Sequence, residues 1–328
     1  MKMARNLTMY KIIVSLLIAF FLPVIITPFL IKIQQKYHIG QKIRQEGPDL
    51  HQHKMGTPTM GGLAIFFSIA LALLFYRPDD NTVYVVFLLL CAFGFVGFLD
   101  DFMKFYRGRS LGLKARTKLI MQFIICVFFL LWFFRNGTVN QTIIVPFIKE
   151  NLYLSQATYI PFVALVFISA TNAVNLTDGL DGLATGLMII ALLAFAVIAF
   201  AQERSNLGIF SLIMLLTCAG FLIYNFHPAK IFLGDVGSLG LGGALAGISV
   251  ITGTELFLIL VGGIFVIETL SVIIQVMSIK FRQRPIFKMS PLHHHFELLN
   301  WQEVHIVLLF WGIGLLFSLI GVLAYPFY

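Results

Sequence analysis

Asp100 and Asp101 stand side by side at the polar end of an apolar run, and Lys104, Arg107, Arg109, Lys114, Arg116 and Lys118 follow them. Adjacent acids at such a boundary repel each other, so they persist where a cation, a proton or a metal ion shares the site. A solvated acidic pair at a helix end accounts for the same two residues taken alone. A second acidic string, residues 172–182, carries Asn175, Asp178 and Asp181 at intervals of three, which puts them on one face if the segment is helical. That string has no Lys or Arg of its own, so its carboxylates need a polar cavity. Asp235 is a lone acid in the apolar turn Phe232-Leu233-Gly234-Asp235-Val236-Gly237-Ser238. Gly234 and Gly237 let backbone approach a bulky ligand or an ion there, and Asp235 needs a partner.

Two basic strings complete the inventory. Lys54 to Gly62 reads KMGTPTMGG and runs into an apolar stretch. Its Thr57 and Thr59 hydroxyls can cap a helix or bind a ligand, free N–H groups at the helix start attract phosphate, and Lys54 adds a point charge. An ordinary capped helix start fits this string too. Near the C-terminus, Lys280, Arg282, Arg284 and Lys288 precede Pro291-Leu292-His293-His294-His295-Phe296-Glu297. Consecutive side chains diverge on a helix or a strand, so three neighbouring imidazoles do not readily converge on one ion. Phosphate or sugar contacts suit them, with one catalytic role among the three, although a solvated cluster remains an alternative. Several carboxylates beside Lys, Arg and His, without a thiolate cluster, favour magnesium over zinc. Such equipment suits phosphoryl transfer, in which catalysis is mostly positioning and charge neutralisation.

The elements that must position these groups are membrane helices. Hydrophobic residues make up 59% of the 328 and charged residues 12%, well beyond the roughly 45–50% apolar content of soluble domains. Apolar runs near the length of a spanning helix fall at 11–31, 60–76, 82–99, 119–135, 157–174, 183–201, 207–226, 237–253, 256–279 and 304–325. An all-α integral membrane protein of about ten transmembrane helices is expected, with residues 1–328 as one polytopic domain. The second, third and fourth runs are short, which places their polar ends at headgroups or against a protein-walled cavity. The runs are continuous, not alternating, which argues against a barrel. There is no internal repeat.

The first run is too long for a signal-peptide core and lacks a small-x-small cleavage site, so it reads as a retained helix. Cys91, Cys126 and Cys218 lie inside apolar runs and imply no disulfide framework. The N-x-[ST] matches at Asn6, Asn136, Asn140 and Asn175 are at chance frequency. Segments 32–57, 100–118, 175–182, 227–236 and 280–303 hold 5, 6, 0, 1 and 4 of the 23 Lys and Arg residues. The positive-inside rule makes these segments cytoplasmic and both termini extracytoplasmic. All the acidic and histidine motifs fall on them, so the expected active site is on the cytoplasmic face. The net charge of +8 also fits ordinary contact with anionic membrane lipids.

Taken together, GTPTMGG (56–62), FLDD (98–101), NAVNLTDGLDGLA (172–184), FLGDVGSL (232–239) and PLHHHFE (291–297) resemble, in order and loop position, the phospho-N-acetylmuramoyl-pentapeptide-transferases. These belong to the polyprenyl-phosphate N-acetylhexosamine-1-phosphate transferase superfamily. The uninterrupted histidine triplet fits the muramoyl-pentapeptide branch better than the related N-acetylhexosamine-phosphate transferases. The resemblance implies transfer of phospho-MurNAc-pentapeptide from UDP-MurNAc-pentapeptide to undecaprenyl phosphate. That reaction gives lipid I and UMP, the first membrane step of peptidoglycan synthesis, at the bacterial cell membrane. It also implies Mg2+ as cofactor and no nucleic-acid partner, and a homodimer is compatible with it.

By the same resemblance Asp235 matches the metal-binding aspartate, and Asp100, Asp101, Asp235 and His293 are candidate catalytic residues. Lys54, Thr59, Lys104, Lys118, Asn175, Asp178, Asp181, Phe232, His294 and His295 are candidate substrate contacts. Three other readings stay open on the residues: a related transferase of N-acetylhexosamine-1-phosphate, an ion-coupled transporter and a lipid-binding scaffold. Against the transporter, the acids cluster on one face, and Glu268 is the only one well inside a span.

Overall fold

The computed structural model describes residues 2–37, 40, 54, 56–108, 111–136 and 141–326. Most of the basic loop at 32–57, together with Arg109 and Asn140, lies outside the described residues. Within them the chain is almost wholly helical: α1 Lys2–Lys36, α2 Gly62–Tyr76, α3 Asn81–Arg107, α4 Ala115–Asn136, α5 Gln156–Thr177 and α6 Leu183–Ala201. These are followed by α7 Ser205–Asn225, α8 Gly234–Ile251, α9 Phe257–Val261, α10 Gly263–Arg282, α11 Leu292–Glu297 and α12 Glu303–Leu323. Among the described residues nine helices are long and apolar enough to cross a membrane, and α2, with 15 residues, is a shorter apolar helix.

The ten apolar runs correspond in order to these helices, with three departures. α3 and α4 are full-length because their helices continue through polar sequence beyond the apolar stretch; α3 runs past Leu99 and closes only at Gly108, in the left-handed region at φ 62°. Asp80 opens α3 by accepting the Thr82 N–H at 2.9 Å. The ninth run is broken at Gly262 into α9 and α10. A two-stranded antiparallel hairpin, β1 Thr142–Ile144 and β2 Asn151–Tyr153, follows α4. It is docked by Ile144 N–H to Gly253 O at 2.7 Å and by Phe147 N–H to Ala324 O at 2.9 Å. The hairpin therefore covers the ends of α8 and α12.

α8 is the buried axis of the bundle: Val236 through Ile251 are all buried. It packs closely on α3, where Gly243 and Gly247 lie against Phe93 and Leu89, and a side chain on either glycine would collide with them. This is helix packing through small residues, which apolar surroundings favour because dispersion replaces the absent hydrophobic driving force. A Cβ at Gly97 would strike the Asp235 carbonyl oxygen, so the polar end of α3 and the start of α8 are in backbone contact. That contact puts Asp100 and Asp101 beside Asp235.

Candidate active site

Asp100 and Asp101 project from the last turns of α3 and are each 4% exposed. Lys104, one turn further on, lies 2.7 Å from Asp100 Oδ2, 3.1 Å from Asp101 Oδ1 and 3.2 Å from Asp235 Oδ2. Backbone amides take the remaining oxygens of the pair. Leu113 N–H donates to Asp100 Oδ1 at 2.8 Å, and Val236 N–H donates to Asp101 Oδ2 at 3.2 Å. On the other side of Asp235, Lys118 of α4 lies 2.9 Å from Oδ2 and donates to Asn175 Oδ1 at 3.1 Å. Asn175 in turn donates to Asp235 Oδ1 and to Ser238 Oγ, both at 2.9 Å. Three other stretches of chain, α3, α4 and α5, thus converge on Asp235 and supply the partners its turn lacked.

Gly234 makes this convergence sterically feasible. It has φ +75°, and a Cβ there would stand 2.7 Å from Asp101 Oδ2, 2.8 Å from Met60 N and 3.0 Å from Thr59 Oγ1. Thr59 is thereby placed at the edge of the carboxylate cluster. The anion-binding reading of the 56–62 string is corrected here. Gly61 and Gly62 N–H donate to Phe232 O and Leu233 O at 2.9 Å, and Phe232 N–H donates to Pro58 O at 2.9 Å. The string is zipped onto the 232–233 segment, so these two amides are not free for phosphate. The helix begins only at Gly62, beyond Pro58.

The shared face expected for Asn175, Asp178 and Asp181 is also corrected, because α5 ends at Thr177 and the chain turns. Asn175 faces Asp235, whereas Asp178 caps the helix. Burial pushes the Asp178 carboxyl well above the usual carboxylate range; the charges of Asp235 and Asp101 add to this, and the Gly234 N–H opposes it. Asp181 belongs to a second cluster. Its Oδ1 lies 2.7 Å from Lys54 Nζ, and its Oδ2 accepts from Ala229 N–H at 2.9 Å and lies 3.1 Å from His227 Nδ1. Glu303, at the start of α12, takes Lys54 at 2.6 Å and the Asp181 N–H at 2.7 Å, and stands 3.4 Å from His227. Burial opposes ionisation of Asp181, but Lys54, the Ala229 N–H and His227 outweigh it and hold the carboxyl below its ordinary range. The Phe232 ring lies 6.0 Å from the Lys54 ammonium.

The three histidines take different partners, although the His293 and His294 rings lie 4.2 Å apart. His293 is fully buried and points its ring at Gly179, while Nδ1 faces Glu268 at 3.1 Å. His294 Nδ1 pairs with Glu297 at 2.6 Å, and His295 Nδ1 accepts from Lys288 N–H at 3.0 Å. His293 thereby meets the loop that carries Asp178 and Asp181.

Among the described residues two groups could hold a metal ion: Asp181, His227 and Glu303, whose carboxylates already hold Lys54, and Asp100, Asp101 and Asp235, each offering an oxygen within 4.8 Å of the others. The oxygen-only donor set of the three aspartates suits a hard divalent cation. The Lys104 ammonium, enclosed by one oxygen from each, shows that the pocket accepts positive charge.

The family model described as Glycosyl transferase family 4 matches residues 83–253. The phospho-N-acetylmuramoyl-pentapeptide-transferase of Halalkalibacterium halodurans is 46% identical over 315 residues, covering 95% of this chain and 96% of the relative. The chain belongs to the phospho-N-acetylmuramoyl-pentapeptide-transferase family. Family members from Oceanobacillus iheyensis (46% identity, 95% and 97% coverage) and Clostridium beijerinckii (44%, 96% and 96%) agree. The matched region, 83–253, spans Asp100 through Asp235 and therefore contains the whole carboxylate cluster. Glu303 and His227, which tie the second cluster together, were not singled out from sequence. Glu303 reads there as an ordinary acid in the first turn of a helix, and nothing local marks Lys54, 249 residues away, as its partner.

Proposed function

We propose that this protein transfers phospho-MurNAc-pentapeptide from UDP-MurNAc-pentapeptide to undecaprenyl phosphate, giving lipid I and UMP, on the cytoplasmic face of the bacterial cell membrane. The observation that carries this reading is the meeting of Asp100, Asp101 and Asp235 with Lys104 and Lys118 at one end of a membrane bundle. Full-length likeness to enzymes bearing that name supports it. Asp100, Asp101 and Asp235 would hold Mg2+, which when bound neutralises charge on the diphosphate and the departing UMP.

The rest of the chemistry belongs to the chain. An oxygen of the lipid phosphate attacks the sugar-side phosphorus; the new O–P bond forms as the bond to the bridging oxygen breaks, and UMP leaves with that electron pair. Lys104 and Lys118 offset the charge that collects on the transferring group. Lys104 and the Leu113 and Val236 amides fix the directions of the Asp100 and Asp101 carboxylates, and in this reading Asp100 orients the lipid phosphate or accepts its proton. Lys54, Asp181 and Phe232 form a separate polar and aromatic wall suited to a nucleotide. The side assignment rests on the positive-inside rule, since segments 32–57, 100–118, 175–182, 227–236 and 280–303 hold 16 of the 23 Lys and Arg residues.

The test is purified protein with magnesium, undecaprenyl phosphate and either UDP-MurNAc-pentapeptide or UDP-N-acetylhexosamine, scored for UMP. Release with the pentapeptide conjugate is expected. Release only with the sugar lacking the peptide would reassign the chain to the N-acetylhexosamine-1-phosphate branch.

A further inference from the structure

Glu268 is fully buried six residues into α10, in a helix otherwise largely apolar. Beyond it, α10 runs on for roughly 20 Å, and the chain then returns along the same helix face. Ser278 donates to Arg284 O at 2.7 Å. Gln275 accepts from Ile286 and Phe287 N–H at 3.0 Å and donates to Phe287 O at 2.8 Å. Glu268, Ser271, Gln275 and Ser278 are all buried and recur at helical spacing, so α10 carries one polar stripe inside the bundle. The returning segment ends where Glu268 Oε1 accepts the His293 N–H and Oε2 faces His293 Nδ1, each at 3.1 Å.

In the imidazole tautomer that donates Nδ1–H to the carboxylate, the lone pair lies on Nε2. That Nε2 is buried with no hydrogen-bond partner among the described residues, and it abuts Gly179, next to Asp178. A buried polar atom left unpaired costs free energy, so a ligand group is its natural partner. We infer that Glu268 is a positioning residue: it fixes the tautomer and direction of His293 so that Nε2 accepts a hydrogen bond from substrate at the 178–181 loop. This inference rests on the transferase reading given above.

Glu268→Gln keeps the shape but presents an amide donor to Nδ1, which moves the imidazole proton to Nε2. With UDP-MurNAc-pentapeptide and undecaprenyl phosphate, kcat for UMP release should fall about 10–100-fold, with KM for the nucleotide sugar within about threefold. In a His293→Ala background the same substitution should change kcat less than about twofold, because the two residues act as a unit. A kcat within twofold of the parent, or equal losses in both backgrounds, would overturn the inference. Should Glu268→Gln fail to fold, 15N NMR of histidine-labelled parent protein decides: a proton on Nδ1 supports it and a proton on Nε2 refutes it. The spectrum needs no turnover, so failure of the transferase reading would show separately, as absence of UMP from the parent protein.

Discussion

Lys104 and Asp235 come from helices that begin 153 residues apart in sequence, yet Nζ and Oδ2 lie 3.2 Å apart. The ammonium also touches Asp100 and Asp101, so one flexible side chain bridges three carboxylates at once. A divalent ion bound by the same oxygens would take over that task and free Lys104 to swing toward a phosphate.

Lys104→Met should therefore destabilise the protein mainly when divalent ions are absent. Removing one partner of a buried ion pair costs roughly 3–5 kcal/mol; because the Lys104 side chain is one-third exposed, about 2 kcal/mol is expected after allowance for solvent screening. Thermal unfolding in detergent with EDTA and then with excess Mg2+ checks this. Recovery of most of the lost stability by Mg2+ is expected, and an equal loss in both conditions would show that the ion does not substitute for the ammonium.

Asn175 holds both Asp235 and Ser238 at 2.9 Å and receives Lys118. Asn175→Ala removes these bonds and leaves Lys118 free to move, which should cost about 2–3 kcal/mol of transition-state stabilisation, or roughly 10²-fold in kcat. Steady-state UMP release measures it. An unchanged kcat would remove Asn175 from the site.

The Lys54–Asp181–Glu303 knot lies apart from the three-aspartate cluster and should act chiefly on binding. Glu303→Gln weakens the hold on Lys54 and on the Asp181 N–H, so KM for the nucleotide sugar is expected to rise about tenfold with kcat nearly unchanged. A fall in kcat at constant KM would place the knot in the chemical step instead.

How much of this was legible in the sequence varied with distance along the chain. Apolar runs give the helices directly, because a membrane span is a local property, and short motifs give Asp100, Asp101, Asp178 and Asp235 because unusual polar residues stand out against apolar flanks. The break at Gly262 and the extension of α3 to Arg107 depend on packing against neighbours. The split of Asp181 away from Asn175 depends on where α5 stops, which a spacing of three does not reveal. Partnerships such as Lys54 with Glu303 or His293 with Glu268 join distant stretches of chain, and no single-sequence pattern encodes them.

At the hairpin end of the bundle, Glu255 is 2% exposed, and Tyr159 donates to its Oε1 at 2.8 Å. Burial raises its pKa from the ordinary 4.5 to about 7. The folded state therefore holds a proton that the unfolded chain has lost, and stability should fall as pH rises from about 4.5 to 7 and then level off. The expected contribution is on the order of 3 kcal/mol. Unfolding of the parent and Glu255→Gln across pH 4.5–8 isolates it: the variant should lack this share of the slope, and parallel curves would contradict the assignment.

Direct displacement by the lipid phosphate passes through no covalent phospho-aspartyl intermediate. Labelled UMP should not exchange into UDP-MurNAc-pentapeptide when lipid phosphate is withheld. Exchange at a rate comparable to turnover would establish the two-step route.

The most direct test of a single carboxylate-centred transferase site is UMP release by the parent and by Asp235→Asn, each shown to be folded, with Mg2+ and with EDTA. The parent should turn over only with Mg2+, and the variant should be slower by at least about 10³-fold. Turnover in EDTA, or an Asp235→Asn variant that retains parental activity, would contradict it.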